Sequence, residues 1–309
     1  MHAQLTSAKG VLGRMLDELV RPADELTPPL SAAAFSIAGN SKILEGKRVA
    51  PDMISASSGV INFYEAAQLS DPIVRLSELE HSSLLGGTIS DLLGGAIVRS
   101  KALGDVLDSV ALSASWGNDG PALQLAQVAK LISARSELMS ERAVFFAEVG
   151  GFDTHSDVSS VLNEKLTSID GAIRSFREEM MAQEIWEDVV LLTVSEFGRT
   201  LTSNGAGTDH GWGTLSRRNP PAHQSSSPDL STYRFRSSSL PSSPPDHAGG
   251  HHLVLGGAVK GGQVHGVYPT DLTSSSDLNV GRGRVRVMPT LGARSWCTLH
   301  LVQAHGALA

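Results

Sequence analysis

AVFFAEVGGFDTH, at residues 143–155, is the stretch that decides the fold. Its first seven residues, Ala143 to Val149, are apolar except for Glu148 and are rich in aromatic and β-branched side chains, and a glycine pair follows them. A run of this kind, bounded by glycines, is typical of a buried strand. The sequence therefore predicts a strand at 143–149, with Asp153 and His155 just beyond its carboxyl end.

A helix and a second strand are predicted directly after this loop. Apolar residues keep the helical period from Val158 to Met180, and Asp157 or Ser156 is expected to cap the helix. The run DVVLLTV at 188–194 then has the pattern of another buried strand. A strand, a helix and a strand in this order predict a crossover between parallel strands, and hence an α/β sheet.

The other predicted elements lie on both sides of this unit. Periodic apolar residues predict a helix at 8–20, two helical stretches within 73–104 that Gly86-Gly87 separates, and a helix that Pro121 opens. A third strand is predicted at 253–259. Helices are therefore expected to dominate the chain ahead of the first predicted strand.

The composition argues against two classes of partner. The 309 residues include 32 acidic and 25 basic side chains, a net charge of −7, so the basic surface that attracts nucleic acid or anionic lipid is missing. No run of about 18 apolar residues occurs, so no membrane-spanning helix is predicted. Cys297 is the only cysteine, which excludes an internal disulfide and a thiolate metal cluster. Neither nucleic acid nor a membrane is an expected partner.

Potential metal ligands gather in glycine-rich loops. The six candidates are Asp153, His155, Glu196, Asp209, His210 and His251. Carboxylate oxygen and imidazole nitrogen bind hard and borderline divalent cations directly when they are deprotonated. In α/β sheets, ligands bind outside the carboxyl ends of the strands, where the loops that carry Asp153 and Glu196 are predicted to lie. The sequence therefore predicts a divalent metal site built by several loops.

Simpler roles are open for the same residues. Asp153 and His155 also suit the capping of the following helix, and Glu196 with Arg199 suits a structural ion pair. If the metal site is correct, Arg199 is instead a catalytic residue that neutralises the anionic oxygens of a substrate through its planar fork. The sequence alone leaves both sets of roles open.

Residues 214–249 differ in composition from the rest of the chain. They are rich in Ser, Pro and Arg and cannot build a core. A low-complexity, disordered surface loop is the ordinary explanation. A second hypothesis is a retained intron, because removal of 214–249 joins Gly213 to Gly250 and restores an uninterrupted DHGWGGHH run. A spliced message that still encodes 214–249 would exclude the intron.

Several of these motifs together resemble a known family. The resemblance rests on residues 150–155, 195–205, 207–213 and 251–262, with further support from 35–40 and 278–284. On these residues the chain is similar to members of the family called domain of unknown function 1501, or DUF1501, in the alkaline-phosphatase-like and sulfatase-like superfamily. The resemblance covers roughly residues 3–287 apart from the inserted segment.

The resemblance implies an α/β fold of the alkaline-phosphatase-like type, a three-layer α/β/α sandwich. Family members usually carry an N-terminal part with an export signal and the first strand of the sheet. The chain is therefore expected to be a single incomplete domain, 1–309, with an incomplete sheet, from an exported protein. Residues 288–309 match no family pattern and are expected to be a divergent tail.

The resemblance also implies hydrolysis of sulfate or phosphate esters at a centre of one or two divalent metals, with zinc, manganese, iron and calcium as candidates. Asp153 and His155 resemble the superfamily's ligand pair for one metal. For the other pair, Glu196 and the Asp209-His210 dipeptide are alternatives, with His251 or His252 as a later histidine ligand. An anionic ester is then the expected partner. The alternative from another class is a noncatalytic binding or scaffold protein that keeps the fold.

Overall fold

The computed structural model describes most of the chain between Lys9 and Val194, together with several later segments. The described residues are 9–20, 30–61, 63, 65–80, 82–195, 199–200, 203–209, 253–262 and 297–304, with only the backbone described for Ser195 and 297–304. Their α-helices are α1 (Val11–Leu19), α2 (Ala66–Ser77), α3 (Leu84–Ser109), α4 (Gly120–Ser133) and α5 (Val158–Ala182). Their strands are β1 (Ala32–Ser36), β2 (Pro51–Ser55), β3 (Gly59–Val60), β4 (Arg142–Val149), β5 (Val189–Ser195), β6 (Val254–Gly256) and β7 (Cys297–Ala304).

These strands form one mixed sheet in the order β3-β2-β1-β4-β7-β5-β6. Strand β1 runs parallel to β2 and β4, whereas β7 runs antiparallel to both β4 and β5. Strands β4 and β5 therefore point the same way, as a crossover between parallel strands requires, but β7 lies between them. The α/β class is confirmed, with a sheet of mixed parallel and antiparallel pairs.

Apolar clusters cover both faces of the sheet at β4, because successive side chains of a strand point to opposite faces. Phe145 belongs to the larger cluster, together with Leu125 of α4 and Phe176 of α5. Phe146 belongs to a second cluster that includes Leu16 of α1. This burial on both sides fixes β4, and with it the starting point of the loop that carries Asp153 and His155.

Two details of the helix predictions need correction. The expected break at Gly86-Gly87 lies inside α3, and the chain turns between Ser77 and Leu84 instead. The Ser83 hydroxyl accepts a hydrogen bond from the Gly86 amide, so the helix begins ahead of the glycines. Asp157 precedes α5 without capping it, because its backbone is left-handed, with φ of 50°, and its side chain makes no capping hydrogen bond.

The sequence does not predict β1, β2, β3 or β7. Strand β1 reads Ala-Ala-Ala-Phe-Ser, and alanine favours helices, so only its pairing with β2 and β4 makes it a strand. Cys297–Ala304, within the predicted divergent tail, pairs with β4 and β5 in the sheet. The strand predicted at 253–259 is present but shorter, at Val254–Gly256. The insertion predicted at 214–249 lies outside the described residues.

A carboxylate joins α1 to the segment that follows β1. Asp17 accepts hydrogen bonds from the backbone amides of Lys47, Arg48 and Val49 at 2.5, 2.7 and 3.1 Å. Burial raises the pKa of Asp17, but the three amide donors together outweigh that effect, and the nearby Arg48 adds to them. The pKa of Asp17 therefore lies below its ordinary value of 3.8.

Asp17→Asn is expected to reduce the free energy of unfolding by about 2 kcal/mol at neutral pH, because asparagine has one neutral acceptor oxygen where Asp17 uses two charged ones, and its NH₂ group then faces an amide donor. A carboxyl group with a lowered pKa stabilises the folded state above its unfolded pKa, and this contribution is lost as the pH falls through the folded value. The difference between wild type and variant should therefore shrink below pH 3.8. Urea unfolding at neutral and acidic pH measures the difference, and an equal difference at both contradicts the assignment.

Candidate functional site

The carboxyl end of β4 is held in place by Gln124 of α4. Its Nε2 donates to the Glu148 carbonyl oxygen at 2.8 Å, and its Oε1 accepts from the Glu148 amide at 2.9 Å. Burial also raises the pKa of the Glu148 carboxyl group above its ordinary value. The loop that starts at Gly150 therefore begins from a fixed point on the sheet.

The loop after β4 turns at a glycine. Gly151 has φ of 82°, in the left-handed region where a side chain is strained. Lys165 of α5 lies beside this turn, with its Nζ 5.6 Å from the centre of the Phe152 ring, a cation–π contact. A Cβ on Gly151 would lie 2.6 Å from the same Nζ. The turn thus needs glycine for its backbone angle, whereas the end of the flexible Lys165 side chain could move away from a Cβ.

Arg199, just after β5, ties this loop to a second one at 203–209. Its Nη1 donates to Asp153 Oδ1 at 2.5 Å, and its Nη2 donates to the Thr154 carbonyl oxygen at 2.6 Å. On the other side, Nε donates to Thr208 Oγ1 at 3.0 Å, and Nη2 also donates to the Thr208 carbonyl oxygen. The planar set of guanidinium donors therefore clamps residues of both loops.

His155 lies between two carboxylates. Its Nε2 is 3.0 Å from Asp153 Oδ1, and its Nδ1 is 3.4 Å from Asp209 Oδ1. The His155 side chain is 53% exposed, so solvent and small solutes reach the ring, whereas Asp209 is 28% exposed. Two carboxylates, an imidazole and the Arg199 guanidinium thus form one connected polar cluster at the open ends of β4 and β5.

Asn204 organises the second loop and is a residue whose role the sequence analysis missed. Its Oδ1 accepts hydrogen bonds from the amides of Ala206 and Gly207 at 3.0 and 2.7 Å. Its Nδ2 donates to Asp209 Oδ1 at 3.1 Å and to the His155 carbonyl oxygen at 3.3 Å. The Asn-Gly dipeptide at 204–205 is a turn signal, but it does not indicate a contact with a carboxylate.

Backbone contacts bring the two loops close together. The Asp157 amide donates to the Ala206 carbonyl oxygen at 3.2 Å, and the Thr208 amide donates to the Thr154 carbonyl oxygen at 3.4 Å. Gly207 permits this approach, because a Cβ there would lie 2.4 Å from the His155 carbonyl carbon. A side chain at position 207 would therefore displace the loop that carries His155.

The structure brings four of the predicted site residues together: Asp153, His155, Arg199 and Asp209. Asp157 occupies the position directly before α5, whereas Asp153 and His155 contact each other, and Arg199 and Asp209 contact Asp153 and His155 respectively. Arg199 forms an ion pair with Asp153. The other three predicted ligands, Glu196, His210 and His251, lie outside the described residues.

The described part of the cluster does not by itself complete a metal site. Within the described ranges, no group of three or more His, Cys, Asp or Glu side chains is arranged to hold a metal ion. The reason is visible at His155, because Asp153 and Asp209 approach opposite nitrogens of one ring, and a single ion reaches only one of them. Each carboxylate with its nearest nitrogen therefore offers two ligands, whereas protein sites for zinc usually supply three or four.

A separate groove of about 560 Å³ lies between α2 and α3. Its lining includes Asp71, Arg75, Lys101 and Asp105 with several aliphatic side chains, and none of the cluster residues takes part in it. The acidic and basic groups are mixed, and Lys101 pairs with Asp71 at 3.9 Å. The groove therefore shows no charge preference that would indicate a ligand, and the chemistry-bearing residues remain those of the two loops.

Among the described helices, none is both long and apolar enough to cross a membrane.

Comparison with known proteins gives one match. No curated protein and no solved structure matches the chain significantly. Residues 108–216, which include β4, α5, β5 and Arg199, match a family model described as protein of unknown function (DUF1501), and this match supports the DUF1501 resemblance for that part of the chain.

Proposed function

We propose that this chain is a metal-dependent hydrolase of sulfate or phosphate esters, with an alkaline-phosphatase-like fold. One observation carries the proposal: His155 lies within 3.4 Å of both Asp153 and Asp209 beyond the carboxyl ends of β4 and β5. Carboxylates and imidazole at this edge of an α/β sheet are suited to a divalent cation and an anionic substrate.

Each residue of the cluster has a role in this proposal. His155 with Asp153 and His155 with Asp209 are two alternative ligand pairs for one divalent cation, or one pair for each of two cations. Glu196, His210 and His251 are proposed to complete the ligand set. A bound divalent cation supplies Lewis acidity and lowers the pKa of a bound water. In each described pair the nitrogen and oxygen are 3.0 to 3.4 Å apart, close enough for both to contact one ion at about 2.1 Å.

Arg199 has two roles open to it in this proposal. Its contacts with Asp153, Thr154 and Thr208 support a positioning role, because they orient the Asp153 carboxylate toward His155. The direct catalytic role, contact with anionic oxygens of the ester, requires the guanidinium to turn some of its donors toward the substrate. Asn204 is the corresponding positioning residue for Asp209.

A noncatalytic binding or scaffold protein is the second candidate. It is favoured by the contacts of the cluster itself, since both ring nitrogens of His155 face carboxylates and Arg199 pairs with Asp153. A protein of this kind would keep the two loops as a structural polar cluster. Measurements of metal binding and of ester turnover distinguish this candidate from the hydrolase.

The test is a titration of the purified chain with zinc and with manganese, followed by assays with nitrophenyl phosphate and nitrophenyl sulfate. Asp153→Asn and Asp209→Asn are expected to weaken metal binding at least tenfold and to abolish turnover, because each removes a charged ligand. Asp170→Asn is the matched control, since Asp170 is exposed on α5 and pairs only weakly with Arg174. Metal binding without turnover favours the binding protein, and no binding by the wild type excludes the metal site.

A further inference from the structure

A different chemistry is available at the Asn-Gly dipeptide of the loop at 203–209. Asn204 and Gly205 are both exposed to solvent. Gly205 has φ of 104°, in the left-handed region that favours glycine. Among the described residues other than its chain neighbours, a Cβ there would meet no atom within 4 Å. Within the described part of the chain, the peptide bond between the two residues is therefore not crowded on the Gly205 side.

The side-chain carbonyl group of Asn204 is polarised by the loop itself. Its Oδ1 accepts hydrogen bonds from the amides of Ala206 and Gly207 at 3.0 and 2.7 Å. Two backbone donors at such distances stabilise the negative charge that develops on a carbonyl oxygen when a nucleophile adds to its carbon. The loop therefore makes Asn204 Cγ more susceptible to attack.

The backbone nitrogen of Gly205 is the nucleophile next to this carbon along the chain. Its N–H donates to Ser203 Oγ at 3.0 Å, and Ser203 Oγ donates in turn to the Gly207 carbonyl oxygen at 2.9 Å. A hydroxyl oxygen that accepts from an N–H favours loss of the proton that the nitrogen gives up when it acts as a nucleophile. The carbon, the nitrogen and a first proton acceptor thus belong to three consecutive residues.

We propose that Asn204 is a site of spontaneous deamidation in the folded chain. The Gly205 nitrogen forms a bond to Asn204 Cγ and loses its proton, the Cγ–Nδ2 bond breaks, and ammonia leaves with that proton, so that a succinimide ring remains. Water then opens the ring at one of its two carbonyl groups. Opening at Cγ gives aspartate, and opening at the backbone carbonyl carbon gives isoaspartate. Each conversion consumes one water, releases one ammonia and oxidises nothing.

Deamidation changes the charge where the two loops of the site meet. Asn204 Nδ2 donates to Asp209 Oδ1 at 3.1 Å and to the His155 carbonyl oxygen at 3.3 Å, and a carboxylate has no such donor. The product also places a second carboxylate beside Asp209, and like charges at this distance repel each other. The modified chain should therefore hold the loop at 203–209 less firmly against the loop that carries His155.

Incubation of the purified full chain at neutral pH, followed by peptide mapping with mass spectrometry over several days, tests the proposal. Asn204 is expected to convert to aspartate and isoaspartate at least about tenfold faster than Asn118. Asn118 is the matched control within the same molecule, because it is exposed and precedes Asp119 in place of a glycine. The N204D chain supplies the aspartate standard for the map.

A parallel incubation in urea separates the effect of the folded loop from that of the dipeptide. If the amides of Ala206 and Gly207 promote the reaction, Asn204 should convert in the folded chain at least as fast as in the unfolded chain. Conversion in urea alone would show that the folded loop protects Asn204, and the proposal would be wrong. Equal rates at Asn204 and Asn118 in the folded chain would also overturn it. Neither result depends on metal binding or ester turnover, so the outcome is independent of the proposed hydrolase.

Discussion

Glu179→Ala is expected to reduce the free energy of unfolding by about 4 kcal/mol, because it removes a buried carboxylate that accepts hydrogen bonds from two backbone amides. Glu179 of α5 is 1% exposed. Its Oε2 accepts from the amides of Ser113 and Ala114 at 2.7 and 2.8 Å, and its Oε1 accepts from Gln183 Nε2 at 2.9 Å. The side chain thus holds the segment after α3 against α5.

Glu179→Gln is the matched control for this substitution. An amide oxygen in the place of Oε2 still accepts from Ser113 and Ala114, and the new NH₂ group then faces the Gln183 side chain. Within the described residues, Gln183 Oε1 is buried and has no hydrogen-bond partner, so a flip of this amide supplies the acceptor. The loss for Glu179→Gln should therefore be about 1 kcal/mol. Urea unfolding of the three proteins measures both values, and equal losses for the two variants would show that the amide contacts are not the cause.

The central crossover could be predicted from the sequence because its signal is local. The strand predicted at 143–149 is found at Arg142–Val149, and the helix predicted from Val158 to Met180 is found at Val158–Ala182. The spacing of apolar residues along the chain, together with the glycines that bound the first strand, is sufficient to predict such elements. The order of strands in a sheet depends on contacts between distant parts of the chain. The spacing of apolar residues within Cys297–Ala304 therefore does not predict that this strand lies between β4 and β5.

The site could be predicted only as a set of residues. Chemistry and loop position together identify Asp153, His155 and Asp209, and the structure places them in one cluster. Their pairing depends on the backbone of two irregular loops, which have no sequence period. The contact of Asn204 with Asp209 is such a case, because it arises from a turn whose geometry only the folded chain defines.

Arg199→Met is expected to separate the two loops of the proposed metal site. It removes the donors to Asp153 Oδ1, to Thr208 Oγ1 and to the two carbonyl oxygens of Thr154 and Thr208. Loss of a residue that orients ligands typically lowers metal affinity 10- to 100-fold, and we expect an effect of about this size here. The free energy of unfolding should also fall by about 3 kcal/mol, because a side chain only 20% exposed loses several charged hydrogen bonds.

Arg199→Lys separates the effect of charge from that of geometry. An ammonium group keeps the positive charge but cannot reach Asp153 and Thr208 at once in the way the planar guanidinium does. If the planar geometry of the guanidinium holds the two loops together, Arg199→Lys should lower the metal affinity and the free energy of unfolding as much as Arg199→Met does. Arg174→Met is the surface control, since its pair with Asp170 is exposed and its removal should change the free energy of unfolding by less than about 0.5 kcal/mol.

The measurements are calorimetric titration with zinc and nuclear magnetic resonance of the His155 ring. The ring signals report the positions of Asp153 and Asp209 even if the wild type binds no metal, because both carboxylates lie within 3.4 Å of its nitrogens. A shift of these signals in Arg199→Met and Arg199→Lys, but not in Arg174→Met, supports the clamp whether or not the metal proposal holds. Unchanged signals in Arg199→Met would show that the two loops keep their arrangement without the guanidinium, and the positioning role of Arg199 would then be wrong.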